Sequence, residues 1–197
     1  MPPFIYLASQ SPRRSQLLSQ LGIAHELLLA DAEEDAESLE AHIAGESPRD
    51  YVQRVTRLKW DAALKRLQLR GLPPAPVLCA DTTVALGDTI HAKPADAEDA
   101  VRMLRDLSGQ THEVLTAVAI GTATHCEQAC SASQVTFAAM TEAEIRTYVD
   151  SGESMGKAGS YAVQGLAAAY ISRISGSYTG IMGLPLYETA QLLQKLS

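Results

Sequence analysis

The chain has 197 residues and a formal net charge of −7, with 46% apolar and 20% charged side chains. That balance describes a soluble globular chain, read here as one domain over residues 1–197. It argues against a general nucleic-acid or membrane-surface binder, and no apolar run reaches the ~18 residues of a membrane span. An acidic protein that binds polyphosphate must gather its few cations locally and recruit a metal.

Three cysteines, an odd count, provide no disulfide framework and suggest a reducing cytoplasm. The start, Met1-Pro2-Pro3-Phe4, lacks the cationic segment of a secretory signal.

Phe4-Ile5-Tyr6-Leu7-Ala8 reads as a buried strand. Ser9-Gln10-Ser11-Pro12-Arg13-Arg14 follows, with Ser11 as N-cap and Pro12 at the first helical position. Leu17, Leu18 and Leu21 form the buried stripe of the predicted helix, and Gly22 ends it. Arg13 and Arg14 then fall in the first turn, where the helix dipole disfavours cations by roughly 0.3–1 kcal/mol each. Free N–H groups at that end attract anions. Strand, serine-bearing loop, helix start and paired arginines together describe a phosphate site.

A second short strand is expected over 26–30. The acidic run Asp31-Ala32-Glu33-Glu34-Asp35, with Glu37 and Glu40 close behind, is either a solvated loop or the source of one inward carboxylate for a divalent ion. Ser47-Pro48-Arg49-Asp50 starts a helix whose predicted core face is Tyr51, Val55, Leu58 and Ala62. Lys59 sits at the edge of that face, where it either snorkels to solvent or reaches a phosphate.

Residues 77–86 read as a central strand interrupted by Asp81-Thr82-Thr83. A carboxylate inside an apolar strand is costly unless a cation or donors satisfy it. The functional reading makes Asp81 a base or metal ligand. The structural reading has it bonded to backbone. Gly87-Asp88 predicts a hairpin turn, and the return strand over 89–92 would bring Lys93 back beside Asp81.

Asp96 and Asp99 box the start of the next helix, with Ala100, Val101, Leu104 and Leu107 inward. Residues 112–120 form a strand, with His112 read as an ordinary hydrogen-bonded histidine. His125, Cys126 and Cys130 lack a fourth ligand and C-x-x-C spacing, so zinc is not expected. Residues 133–139 read as a strand. Thr141-Glu142-Ala143-Glu144 opens a helix that buries Ile145, Tyr148 and Val149.

The loop Gly156-Lys157-Ala158-Gly159-Ser160-Tyr161-Ala162-Val163-Gln164-Gly165 has three glycines that let backbone approach a ligand. Lys157 is a candidate phosphate contact, and Gln164 carries the donor–acceptor pair needed to read a base edge. A strand over 166–174, a turn at 175–178 and an amphipathic helix over 185–196 complete the chain. Strands and helices alternate, which indicates α/β architecture.

These segments together resemble the Maf (septum-formation) family of nucleoside triphosphate pyrophosphatases. The motifs that carry the resemblance are Ser9-Gln10-Ser11-Pro12-Arg13-Arg14, Ala80-Asp81-Thr82, Lys93-Pro94, Ser108-Gly109-Gln110-Thr111-His112 and 157–165, with Gly183-Leu184-Pro185 near the end. The resemblance implies an ITPase-like fold, an elongated mixed sheet flanked by helices with a cleft between two lobes. It implies hydrolysis of a nucleoside triphosphate to the monophosphate and pyrophosphate with a divalent metal, Mg²⁺ or Mn²⁺, and a homodimer. Arg13, Thr82 and Gln164 match the dTTP/UTP pyrophosphatase branch, where these positions are associated with substrate choice. Asp81 matches the proposed proton acceptor, and Glu34, Lys59 and Lys93 match other polar cleft positions. Gly156 stands where an Asp often precedes Lys-Ala-Gly, Ala162 where Gly is common, and Thr56-Arg57-Leu58 departs from an Ala-rich pattern.

The expected site therefore has Asp81 and Lys93 as catalytic residues. Ser9, Arg13, Arg14, Lys59, Thr82, Lys157 and Gln164 are expected on the substrate, and Glu34 with Asp81 on the metal. A pyrophosphatase for methylated guanine nucleotides, and a septum regulator that binds nucleotide without turnover, remain alternatives at this stage.

Overall fold

The computed structural model describes residues 2, 4–31, 34 and 38–196. Glu33, Asp35 and Glu37 of the acidic run, and Met1 and Pro3 at the start, lie outside the described residues.

A mixed sheet organises the chain. Its order is β2 (Ala24–Leu27), β1 (Phe4–Leu7), β3 (Val77–Leu86), β5 (Thr111–Thr122), β6 (His125–Phe137) and β7 (Ile171–Ser175). The short β4 (Thr89–His91) pairs with β3 off this path. β1 runs parallel to β2 and β3, and the remaining pairs are antiparallel. The helices are α1 (Pro12–Gln20), α2 (Pro48–Leu69), α3 (Ala97–Leu107), α4 (Glu142–Asp150), α5 (Tyr178–Met182) and α6 (Leu186–Lys195).

Side chains alternate across a strand, so β3 has two faces. Val77 and Cys79 pack with Trp60, Ala63 and Leu67 of α2. Leu78 and Ala80 pack on the opposite face with α1 and α6, in a cluster that includes Leu17, Leu18, Leu192 and Leu193. Further along that second face, Val84 and Val114 join a different cluster, built from α3, α4 and the loop through Tyr161 and Val163. Between the two clusters the inward positions are Thr82 on β3 and Thr116 on β5, which are register partners. Polar residues at adjacent inward positions thus divide one hydrophobic layer into two lobes.

The sheet is also open beside those threonines. On the edge of β3 away from β5, β1 pairs only at Val77 and Leu78, and β4 only from Val84 to Leu86. The Ala8 N–H extends the β1 side as far as the Leu78 carbonyl, at 2.9 Å. Among the described residues, Cys79 to Thr83 have no strand on that edge. Alternation of backbone groups then aims the peptide groups of Ala80 and Thr82 into the gap, where they need water or a ligand as partner.

Most predicted helices appear where their caps place them. Ser47 accepts from the Asp50 N–H, Asp96 from the Asp99 N–H, and Thr141 with Glu144 forms a complete capping box. Ser11 stands at the N-cap of α1 but makes no capping bond with its side chain.

Some expectations fail for identifiable reasons. The second strand occupies 24–27 rather than 26–30, because it pairs in register with Phe4–Leu7. β6 begins at His125, eight residues before the expected start, because it follows the whole length of β5. Leu58 is not on the core face of α2 and is 37% exposed; Trp60, Ala63 and Leu67 take the burial instead. The expected strand over 166–174 divides into a 3₁₀ turn at 166–170 and β7. Leu166 and Ala167 donate their N–H groups to the Glu153 carboxylate, which occupies donors that a strand neighbour would need. The expected turn at 175–178 leads into the short helix α5, capped by Ser177.

His112 is buried, and its Nε2 lies 2.8 Å from the Tyr161 hydroxyl, as the ordinary reading expects. Burial, then neighbouring His91, pulls the His112 pKa down to about 4. The unfolded chain therefore takes the proton first. The stability present above the ordinary histidine value of ~6.5 is lost as pH falls toward about 4, by about 1.4 kcal/mol per pH unit. Urea unfolding at steps from pH 7 to pH 5 should show a shallower acid loss for His112→Gln than for the unsubstituted protein.

Candidate active site

The gap in the sheet opens into a cleft of about 1290 Å³. Its walls come from both faces of the sheet, because Asp81 and Thr82 are adjacent on β3 and point to opposite sides.

On the α2 side, Lys59 Nζ lies 2.5 Å from Asp81 Oδ1 and 2.6 Å from Glu40 Oε1. Burial pulls the Lys59 pKa down, but Asp81 and Glu40 together outweigh it, and the ammonium ends above its ordinary value. Burial also opposes ionisation of Glu40, and the bond from Lys59 reverses that, so its pKa is lowered. Lys93 reaches the same place by the hairpin: the β3–β4 register, continued by two residues, sets it opposite Thr82, and its Nζ is 3.9 Å from Glu40 Oε1. At 63% side-chain exposure it is far more open to solvent than Lys59, at 23%.

On the α1 side, Arg14 is spread over three protein acceptors. Its Nε donates to the Gly183 carbonyl at 2.8 Å, Nη1 to Ser9 Oγ at 3.1 Å and Nη2 to Thr82 Oγ1 at 3.3 Å. Burial lowers the Arg14 pKa while Asp81 opposes the shift and Arg13 adds to it; a guanidinium nevertheless stays charged. Gly183 has φ +118°, a conformation side chains rarely adopt, and a Cβ there would meet Arg14 Nε and Thr82 Oγ1, both at 3.6 Å. Ser9 Oγ also accepts from the Ser11 N–H at 3.2 Å. Both lone pairs of the Ser9 hydroxyl are thus engaged, and its proton is left to donate to a ligand.

Arg13 donates Nε to the Met182 carbonyl at 3.2 Å. No protein acceptor faces its Nη groups among the described residues. Lys157 lines the far wall and donates to the Glu153 main-chain oxygen. Burial, then the charge of Arg13, lowers the Lys157 pKa. Arg13 and Lys157 therefore repel one another in the free protein, and an anion between them would relieve that cost.

Ser9, Arg13, Arg14, Lys59, Asp81, Thr82, Lys93 and Lys157 all line this cleft, as the sequence reading requires. Two expected members are placed differently. Glu34 lines the cleft but is held by the Arg66 fork, at 2.7 Å from Nε and 2.5 Å from Nη2, which lowers its pKa. Both of its oxygens accept from Arg66, and no hydrogen bond or ion pair links it to the Lys59–Asp81 pair. Gln164 does not line the cleft. It occupies the corner of the turn closed by Gly165 N–H to Ala162 carbonyl, so its side chain is exposed while Val163 forms the wall.

Glu40 is the carboxylate that sequence reasoning passed over as part of the acidic run. The one signal for it is distributed: Tyr51 donates its hydroxyl to the Glu40 carbonyl at 3.0 Å, and Arg54 donates to the Ala41 carbonyl at 2.9 Å. Three residues of α2, Tyr51, Arg54 and Lys59, thus fix one short turn, and only the folded helix aligns them.

Asp81 and Glu40 provide hard oxygen donors around one cationic position, the donor chemistry that Mg²⁺ or Mn²⁺ uses together with substrate phosphates. No group of three or more His, Cys, Asp or Glu capable of holding a metal occurs among the described residues. A pair of carboxylates completed by phosphate oxygens is the arrangement these residues fit. His125 is exposed and bonded to Glu127, and Cys126 and Cys130 form no disulfide.

If the Glu34–Arg66 pair is structural, removing one member strands the other. Arg66 also donates Nη1 to the Leu28 carbonyl at 2.8 Å. Arg66→Ala should cost about 3 kcal/mol in urea unfolding, and Arg66→Lys should recover little, because one ammonium cannot replace a bidentate fork.

Residues 4–196 match the Maf-like protein family. A protein of Albidiferax ferrireducens called dTTP/UTP pyrophosphatase is 68% identical over 194 residues, covering 98% of this chain and 97% of that one. A Polaromonas protein of the same name is 63% identical, covering 97% and 95%. Among solved structures, the Staphylococcus aureus Ham1 protein aligns over 68% of this chain and 71% of its own, at 11% identity and a TM-score of 0.43. With the family matched from the first strand to the last helix, the chain belongs to the Maf-like proteins.

Proposed function

We infer that this protein is a nucleoside triphosphate pyrophosphatase that prefers dTTP and UTP and releases the monophosphate and pyrophosphate. The observation that carries the reading is the convergence of Arg13, Arg14, Lys59, Lys93 and Lys157 around a single strand carboxylate, Asp81, in an acidic chain. The names of the two relatives supply the base preference.

Ser9 gives its hydroxyl proton to a phosphate oxygen, and the free Nη groups of Arg13 make charge-assisted bonds to others. One N–H on each Nη of Arg14 also remains. Lys157 closes on the anion from the opposite wall, and Lys93 follows the departing pyrophosphate. Lys59 holds Asp81 by Oδ1, which leaves Oδ2 to orient a water in line with the α-phosphorus. As the water oxygen bonds to that phosphorus, its proton passes to Asp81, and the bond to the bridging oxygen of the pyrophosphate breaks. A divalent cation held by Asp81 and Glu40 with the phosphates would offset their charge and acidify the attacking water. The base lies at the apolar end of the cleft, against Val84, Val114, Tyr161, Val163 and Ile181.

No described helix is long and apolar enough to cross a membrane. A cytoplasmic location, from the odd cysteine count, and a homodimer, from the family resemblance, belong to this proposal.

The test is a panel of triphosphates with Mg²⁺, the products separated by ion exchange. Pyrophosphate from dTTP and UTP is expected, whereas orthophosphate would identify a phosphomonoesterase. Asp81→Asn should lower kcat by about 10²–10⁴-fold with the fold intact by circular dichroism. A near-normal kcat would remove Asp81 from the base role. Arg13→Ala should raise KM for dTTP by roughly tenfold or more, since a charge-assisted contact is lost.

A further inference from the structure

Glu153 lies just beyond α4, outside the cleft, and its carboxylate makes no ion pair with a cation among the described residues. It has three donors instead. Oε1 accepts from the Tyr148 hydroxyl at 2.8 Å and from the Ala167 N–H at 3.4 Å, and Oε2 from the Leu166 N–H at 3.0 Å. The main-chain oxygen of the same residue accepts from Lys157 Nζ. Burial, then the bond to Glu153, pushes the Tyr148 phenol above its ordinary value, so the tyrosine keeps its proton and donates.

These bonds tie the two ends of one loop together. Between Glu153 and Leu166 lie Lys157, Ala158, Tyr161 and Val163, all on the cleft wall. The loop also packs on the sheet: the Gly159 N–H donates to the Ala92 carbonyl at 3.2 Å, Tyr161 meets His112 and Phe137, and Val163 belongs to the core cluster of Val84 and Val114. Glu153 ties down the chain just after Val163, and Gly165 is shaped for it, since a Cβ at that position would overlap the Glu153 carboxylate.

We propose that Glu153 is a positioning residue that sets the width of the base end of the cleft, and so the choice among nucleobases rather than the cleavage chemistry. This rests on the pyrophosphatase reading above. Loss of the carboxylate releases two N–H groups at the start of the 3₁₀ turn and lets Val163 and the wall around it retreat. A wider wall holds the pyrimidine less firmly and excludes a purine less well. The phosphate grip of Ser9, Arg13 and Arg14, and the Lys59–Asp81 pair, come from other elements and remain.

Glu153→Ala, Glu153→Gln and Gly165→Ala test this with dTTP and dGTP. The alanine variant should raise KM for dTTP about tenfold, keep kcat within about threefold, and narrow the dTTP-to-dGTP ratio of kcat/KM by about tenfold. Glu153→Gln, which keeps one acceptor oxygen, should fall between. Gly165→Ala should act like Glu153→Ala alone and add almost nothing in the Glu153→Ala background, because both act on one contact. Amide exchange at Leu166 and Ala167, which needs no turnover, should quicken by about tenfold or more in Glu153→Ala. The proposal is overturned by unchanged exchange, by an unchanged base ratio, or by a uniform loss of kcat for both nucleotides with the ratio kept. A protein that cleaves no triphosphate at all, yet shows the faster exchange, would overturn the pyrophosphatase reading, and the base-selection claim with it, while leaving the clamp itself demonstrated.

Discussion

The structure depends on a polar interruption of a hydrophobic sheet. Thr82 and Thr116 face one another where Leu78, Ala80, Val118 and Ile120 would predict another apolar pair. Neither threonine hydroxyl is left unpaired: Thr82 and Thr116 lie 3.0 Å apart, and Thr116 donates to the Gly180 carbonyl at 2.8 Å. A buried polar group is tolerable only on those terms. With the layer interrupted there, the cores around α1 and α6 and around α3 and α4 are separate clusters bridged by the partly buried Met182, and the cleft lies between them. The missing strand beside Cys79 to Thr83 then opens the same place to the other face of the sheet.

This arrangement explains how a chain of net charge −7 can hold an anion. Cations reach the cleft from α1, α2, the β4 hairpin and the loop after α4, four elements that approach from different directions. Arg13, Arg14 and Lys157 are held by neutral acceptors rather than by carboxylates. Lys59, divided between Asp81 and Glu40, and Lys93, 3.9 Å from Glu40, are the exceptions. The position of Lys59 marks Asp81 and Glu40 as the proposed reacting centre, with the other cations as the proposed phosphate cradle. Other acidic charge is dispersed in surface ion pairs such as Arg102–Asp99 and Arg105–Glu142, which do not line the cleft.

How much of this was legible in the sequence follows from how local each signal is. The strand–serine loop–helix start is written in consecutive residues, as is Asp81 inside its apolar run, and both appear as read. The return of Lys93 was legible too, because a two-residue hairpin fixes register without help from the rest of the fold. Glu40 was not, since its place depends on three residues of a helix that begins eight positions later. The pairing of Glu34 was not legible, because no local pattern reveals the Arg66 fork, 32 residues away. The placement of Gln164 was not legible either, because its exposure follows from the turn closed by Gly165 and Ala162. The 3₁₀ turn at 166–170 was hidden for a related reason, since Glu153, which holds its first donors, lies 13 residues upstream.

The direction of the hydrogen bonds around Arg14 sets how a substrate can lie. Thr116 must donate to the Gly180 carbonyl, so it must accept from Thr82, and the single proton of Thr82 is thereby spent. Thr82 also accepts from Arg14 and can offer a ligand only a lone pair. Ser9, on the other arm of the same guanidinium, has both lone pairs engaged and only a proton to offer. Two hydroxyls on one fork thus present opposite polarity to the cleft. A phosphate oxygen is accepted at Ser9 and repelled at Thr82, where a sugar hydroxyl, a water or a base N–H is the matching group. In the proposed function, a triphosphate would satisfy both by entering with its phosphates toward Ser9 and its nucleoside past Thr82 toward Val84 and Tyr161, which both line the cleft.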